Sequence, residues 1–340
     1  MTTAPDPAPL SAVDATARVH DAVLDLLPGV HNPTPLVRVR GSLDAAGIDL
    51  PGYALYAKLE WLNPFGSVKD RIAAALIAEL EERGELDADR TILEPTSGNT
   101  GLALALVAAA RGYPMHAIVP DKAPLTKKAL LRLAGATLET LPRDATPAPG
   151  HRDAGVSHAA SRMEAEPGRF AFANQYASHA NVTAHFETTG PEIWRQTEGR
   201  VTHLFASLGT TGTIVGSARY LKQQNPDVRV VCVVPDEDHD VPGVRTRAQL
   251  ASDELLDESV IDEFVVVEHP AAYDAALDAA RRDALLAGPS AGLILEGARR
   301  VLNRDTPGQG CGVMIFCDDA LKYIDHFIKH RPDLAEGTTP

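Results

Sequence analysis

Short β-rich runs alternate with helical stretches along most of this chain, and no other feature restricts the fold as strongly. Strands are predicted at 54–59, 91–94, 116–119, 137–141, 203–206, 229–234, 265–267 and 313–317. Helical spacing is predicted over 71–83, 99–111, 125–134, 154–166, 189–197, 213–224, 271–286 and 291–303. Strands separated by whole helices cannot close as hairpins. They lie parallel, with helices covering both faces. With 340 residues there is chain for two such layers. The expected class is therefore α/β, with two open, mostly parallel twisted sheets flanked by helices. The expected division is an N-terminal arm at 1–28 (helical from Asp14 to Leu27), a larger domain from 29–53 plus 177–335, and a smaller domain at 54–176. The stretch 142–150 reads as a proline-rich loop, and the residues after Arg331 as a frayed end.

Charge and cysteine usage narrow the function classes. A formal net charge of -14 argues against nucleic acid or an anionic membrane as the partner, while leaving room for a locally positive site. No apolar run reaches the roughly 18–20 residues that span a bilayer. The first residues lack the basic and apolar regions of a signal peptide. Cys232, Cys311 and Cys317 form no CxxC pair. Cys232 and Cys317 sit in apolar runs and read as buried thiols, which fits a reducing cytoplasm. The histidines show no metal-ligand spacing, so no metal site is assigned.

Open parallel sheets bind ligands at the carboxyl ends of their strands, and four unusual loops follow predicted strands or precede predicted helices. The first, from Asn63 to Arg71, carries Lys69 at the mouth of a helix. It is either a solvated lysine or an amine with a lowered pKa suited to a Schiff base. The second runs Glu94-Pro95-Thr96-Ser97-Gly98-Asn99-Thr100-Gly101. It serves as an ordinary N-cap or as an anion site built on free N–H groups, suited to an amino-acid carboxylate. The third, Ser207 to Thr213, is either a Gly/Thr turn or a phosphate cradle; it lacks the Gly-Lys-Ser/Thr ending of a P-loop. The fourth, Gly288-Pro289-Ser290-Ala291-Gly292, offers Ser290 as an N-cap or as a hydroxyl for a pyridine nitrogen.

In this order the loops resemble the cysteine synthase and cystathionine β-synthase family of fold-type-II pyridoxal-phosphate (PLP) enzymes. The matching segments are KLEWLNPFGSVKDR, ILEPTSGNTG, TTGPEIW, SLGTTGTIVG and GPSAG, spread between Thr34 and Tyr323. The resemblance implies pyridoxal 5'-phosphate held by Lys69 as a Schiff base. Asn99 would meet its ring oxygen, Gly209, Thr210, Thr211, Gly212 and Thr213 its phosphate, and Ser290 its ring nitrogen. Thr96, Ser97, Gly98 and Thr100 would bind the substrate carboxylate, with Gln175 as a second contact. The implied reaction is β-replacement on O-acetylserine or O-phosphoserine through an aminoacrylate, with Lys69 as general base and a sulfur nucleophile giving L-cysteine. The sulfur would come as sulfide or from a sulfur-carrier protein. A cytoplasmic homodimer is implied as well. Another thiol, nitrogen or carbon nucleophile, and a catalytically silent binding protein on the same fold, are the alternatives.

The sequence departs from the family pattern in three segments. His31-Asn32-Pro33-Thr34-Pro35-Leu36 stands where a plain Asn-Thr-Pro-Leu is expected. Pro235 to Arg247 differs from the usual substrate-facing loop. Asp318-Asp319-Ala320-Leu321-Lys322-Tyr323 stands where Asp-Ser-Gly-Glu-Arg-Tyr is familiar. Arg245 and Arg247 read either as an anion-binding fork or as surface arginines offsetting the acidic run 236–240. That run itself reads as a solvated loop.

Overall fold

The computed structural model describes residues 20–148, 153–250, 255–305 and 307–335. Most of the expected N-terminal arm and the end of the 142–150 loop lie outside the described residues. The strands are β1 (Leu36–Val39), β2 (Tyr53–Leu59), β3 (Thr91–Pro95), β4 (Met115–Pro120), β5 (Thr137–Leu141), β6 (Phe170–Phe172), β7 (Val201–Ser207), β8 (Arg229–Pro235), β9 (Glu263–Val267) and β10 (Gly310–Phe316). The helices are α1 (Gly41–Ala45), α2 (Lys69–Glu82), α3 (Asn99–Arg111), α4 (Leu125–Leu133), α5 (Ala154–Ala165), α6 (Ala180–Ala184), α7 (Gly190–Gln196), α8 (Gly212–Gln224), α9 (His269–Asp283), α10 (Pro289–Asp305) and α11 (Ile324–His330). A single π-turn, His185–Thr189, joins α6 to α7.

Two sheets result. One has six strands in the order β1-β2-β10-β7-β8-β9, the other four in the order β5-β4-β3-β6. Every pairing is parallel except β1 with β2. The large sheet is buried on both faces, by α9 and α10 on one side and α7 and α8 on the other. This explains why β8 and β10 read as continuous apolar runs. The small sheet packs α2 and α3 on one face and α5 on the other.

One expected boundary fails. The strand placed in the smaller domain, Tyr53–Leu59, lies in the six-stranded sheet, paired with β10 on one edge and β1 on the other. Tyr53, Leu55, Ala57 and Leu59 alternate into the core beneath α9 and α10. The strands of the small sheet fall within 91–172. From Arg331 to Ala335, the last described residue, the chain is not frayed. A turn at Pro332–Leu334 follows, and Arg331 pairs with Asp274 and Asp333.

β3, β4 and β8 each end on a proline, Pro95, Pro120 and Pro235. Proline has no N–H for the ladder, so pairing stops there and the chain turns away. The second of the four loops leaves the sheet at Pro95, and the altered 235–247 segment leaves it at Pro235. Among the described residues, no helix is long and apolar enough to cross a membrane.

Candidate active site

Lys69 opens α2, just past the carboxyl end of β2. The loop before it is fixed from several sides. Val68 N–H donates to the Cys317 carbonyl at 2.9 Å, Phe65 N–H to Asp70 Oδ2 at 2.6 Å, and the Lys322 ammonium to the Gly66 carbonyl. Burial pulls the Lys69 pKa below the ordinary lysine range, against the opposing influence of Cys317 and Asp318. Lys69 is half-buried and lines the cavity described below, so it is not a solvated surface lysine.

α3 starts on Gly98 with no side chain capping it. Neither Ser97 nor Asn99 acts as the cap, so the helix start has the free N–H groups that an anion site requires. Thr96 Oγ1 instead accepts the Gly101 N–H at 3.2 Å. The Thr100 hydroxyl donates to Gln175 Oε1 at 2.7 Å, which brings the two expected carboxylate contacts side by side.

In the third loop Thr211 takes a left-handed backbone, φ +65°, at the start of α8, again with no side-chain cap. A non-glycine residue in that region is strained, and such strain gathers at ligand sites. The Thr211 hydroxyl is buried and has no hydrogen-bond partner. A buried, unpaired hydroxyl beside two more threonines at a helix start fits a phosphate. Gly212 lines neither of the two cavities described below. It is the point of contact with Asn181, whose amide donates to Thr210 Oγ1 at 2.9 Å. Ser290 lies inside the first turn of α10, so it is not the N-cap.

The loops meet in two adjoining cavities. The larger, about 630 Å³, is lined by Lys69, Thr96, Ser97, Gly98, Asn99, Thr100, Gln175, Gly209 and Thr210. The smaller continues from Lys69, Asn99 and Thr210 to Thr211, Thr213 and Ser290. Every predicted site residue except Gly212 faces this shared space. The inner cavity has the polar set that PLP requires: an unpaired lysine, an anion cradle and a hydroxyl at Ser290.

Sequence reasoning missed several groups. Asp318 is buried, and its Oδ2 accepts from Asn99 Nδ2 at 2.6 Å and from the Tyr323 hydroxyl at 2.5 Å. Its backbone accepts the Gly288 N–H and bridges Ser67. Asp318 thus ties three of the four loops together. Asp318 and Tyr323 keep the first and last residues of the familiar motif, and only 319–322 depart from it. Cys317, expected in the core, lines the inner cavity, where burial pushes its thiol up to about 12.

The two arginines part company. Arg245 lines the outer cavity, its guanidinium 5.0 Å over the Tyr176 ring. Arg247 is exposed and pairs with Glu258. Lys122 and Lys127 add positive charge to the same cavity wall. The acidic run is only partly solvated. Glu237 and Asp238 are exposed, but Asp240 is held by Lys329 at 2.5 Å and His330 at 3.0 Å.

With this geometry in place, comparison with known proteins is decisive. Residues 27–318 match the family model described as pyridoxal-phosphate dependent enzyme. The chain is a member of that family, and its cofactor is PLP. It is 38% identical over 304 residues to cysteine synthase B of Salmonella typhimurium strain LT2, covering 89% of this chain and 96% of that protein. Cystathionine beta-synthase of Apis mellifera is 34% identical over 315 residues, 89% of this chain and 61% of that longer protein. Among solved structures, O-ureido-L-serine synthase superposes with a TM-score of 0.81 at 30% identity, covering 94% of this chain and 98% of its own.

Proposed function

We propose that this enzyme replaces the β-substituent of O-acetylserine or O-phosphoserine with a sulfur nucleophile, giving L-cysteine. The observation that supports it is one cavity holding an unpaired lysine, an uncapped helix start and a strained threonine turn. The relatives named cysteine synthase B cover nearly the whole chain.

PLP bound here supplies an electron sink for loss of an amino acid's α-proton and β-substituent. Lys69 holds the cofactor and acts as the base. Burial favours its uncharged amine, so its Nζ takes the proton from the substrate α-carbon and later returns it. Asn99 binds the ring oxygen, Ser290 the ring nitrogen, and the 209–213 loop the phosphate. The start of α3 grips the substrate carboxylate through Thr96, Ser97, Gly98 and Thr100, with Gln175 beside Thr100. The small-sheet unit closes over that carboxylate and excludes water. Arg245, Lys122 and Lys127 make the outer cavity positive, which favours an anionic leaving group such as phosphate. The enzyme acts on small molecules in the cytoplasm as a homodimer.

The test is the visible absorbance of the purified PLP-loaded enzyme, with each donor added separately and sulfide added afterwards. The expected result is a band shift with one donor, reversed by sulfide as cysteine forms. A PLP-loaded protein that responds to neither donor overturns the β-replacement reading.

A further inference from the structure

His185 is completely buried at the start of the π-turn, and both ring nitrogens are engaged. Nδ1 lies 2.8 Å from Thr189 Oγ1, and Nε2 lies 3.1 Å from Thr213 Oγ1. Thr213 belongs to the loop assigned to the cofactor phosphate. Burial pushes the imidazole down to about 3, helped by the nearby Arg71 charge, so the ring is neutral at working pH. A neutral imidazole has one donor and one acceptor.

That restriction leaves two arrangements. In one, the Thr213 hydroxyl donates to Nε2, and the threonine then faces the cavity only with lone pairs, which repel a phosphate. In the other, the Thr189 hydroxyl donates to Nδ1 and Nε2–H donates to Thr213 Oγ1. The single Thr213 proton is then free to point at a phosphate oxygen. An anion in the loop selects the second arrangement.

The supporting segment is clamped to α8 by close backbone approach. A Cβ on Gly212 would meet Asn181 Oδ1 at 2.1 Å, and one on Gly216 would meet the Val182 carbonyl at 2.3 Å and His185 Cβ at 2.8 Å. These glycines, one helical turn apart, let the segment from Asn181 to Thr189 lie directly against the helix. From there it reaches two hydroxyls of the loop, Thr210 through Asn181 and Thr213 through His185.

We propose that His185 is a positioning residue for the cofactor phosphate, holding the Thr213 hydroxyl as a donor through its Nε2–H tautomer. The inference rests on reading 209–213 as the phosphate loop. The test compares His185→Leu, His185→Gln and Thr213→Val by PLP dissociation constant and by the 31P resonance of the bound phosphate. A glutamine amide can donate where Nε2–H does. Loss of the Thr213 donor to a charged group predicts PLP binding weaker by about tenfold to a hundredfold in Thr213→Val, and loss of the group that orients it predicts a smaller, measurable weakening in His185→Leu, both with shifted 31P resonances. His185→Gln stays close to the wild-type values. If Thr213→Val weakens binding and His185→Leu does not, the inference fails and the loop reading stands. If neither changes, the loop reading fails. If His185→Gln and His185→Leu weaken binding equally, His185 is only a packing element and the proposal is overturned.

Discussion

Lys58 and Lys69 belong to the same sequence segment, yet their surroundings are opposite. Lys58 is fully buried and saturated. It meets Glu192 at 2.7 Å, the Thr34 carbonyl at 3.1 Å and Gln196 Oε1 at 3.0 Å. Beside it Arg71 binds Glu60 at 2.8 Å and Glu192 at 2.6 Å, which completes a network of two cations and two anions with no solvent exposure. Lys69 has no carboxylate within salt-bridge range among the described residues and faces a cavity. Both amines have pKa values lowered by burial, but at Lys58 two glutamates oppose the effect, Glu192 and then Glu60. The segment KLEWLNPFGSVKDR therefore builds two things, a charge-neutral joint between segments distant in sequence and a reactive amine held on it.

That contrast predicts which substitutions remove chemistry and which remove stability. Lys69→Ala is expected to lower turnover by about 10²–10⁴-fold or more, while the unfolding midpoint of the apoprotein stays near wild type. Arg71→Met should do the reverse in kind. It leaves Glu60 without its cation in the interior and Glu192 with Lys58 alone, and should cost about 3–5 kcal/mol in urea unfolding. A stable Arg71→Met protein would show that the joint carries little of the fold.

Two buried glutamates sharpen the comparison through pH. Arg71 overcomes the burial cost at Glu60 and holds it down at about 2, against an ordinary 4.5. The folded state thus binds this proton less readily than the unfolded state. Stability from this group is full above about 4.5 and is lost as pH falls toward 2. Glu94, at the end of β3, is raised by burial to about 8. There the folded state binds the proton more readily, and stability is lost as pH rises from about 4.5 through 8. Glu94→Gln should remove that alkaline loss, seen as a smaller fall in unfolding midpoint between pH 5 and 8 than in wild type. The smallest effect is expected from Arg247→Ala, within about 0.5 kcal/mol, because its pair with Glu258 is exposed.

The alternation of strands and helices made the fold legible, and the four loops made most of the site legible, because three lie between a strand and a helix and the fourth leads into α10. What stayed hidden depended on partners distant in sequence. β1 has four residues and no pattern of its own; it exists because β2 offers an open edge. Thr34, Glu60 and Glu192 look like isolated polar residues until folding joins them through Arg71. His185 looked like one histidine among twelve, and only the clamp on α8 gives it a role. Asp318 was visible as the retained first residue of an otherwise altered motif, but its bonds to Asn99 and Tyr323 are tertiary facts.

The central claim is that Lys69, and no other buried lysine, carries the cofactor. The direct measurement is borohydride reduction of the PLP-loaded protein, followed by proteolysis and mass spectrometry of the labelled peptide. The account predicts a single phosphopyridoxyl label on Lys69, with Lys58, Lys127 and Lys322 unlabelled. A label on any of those lysines, or a PLP-loaded protein that reduction leaves unlabelled, would contradict it.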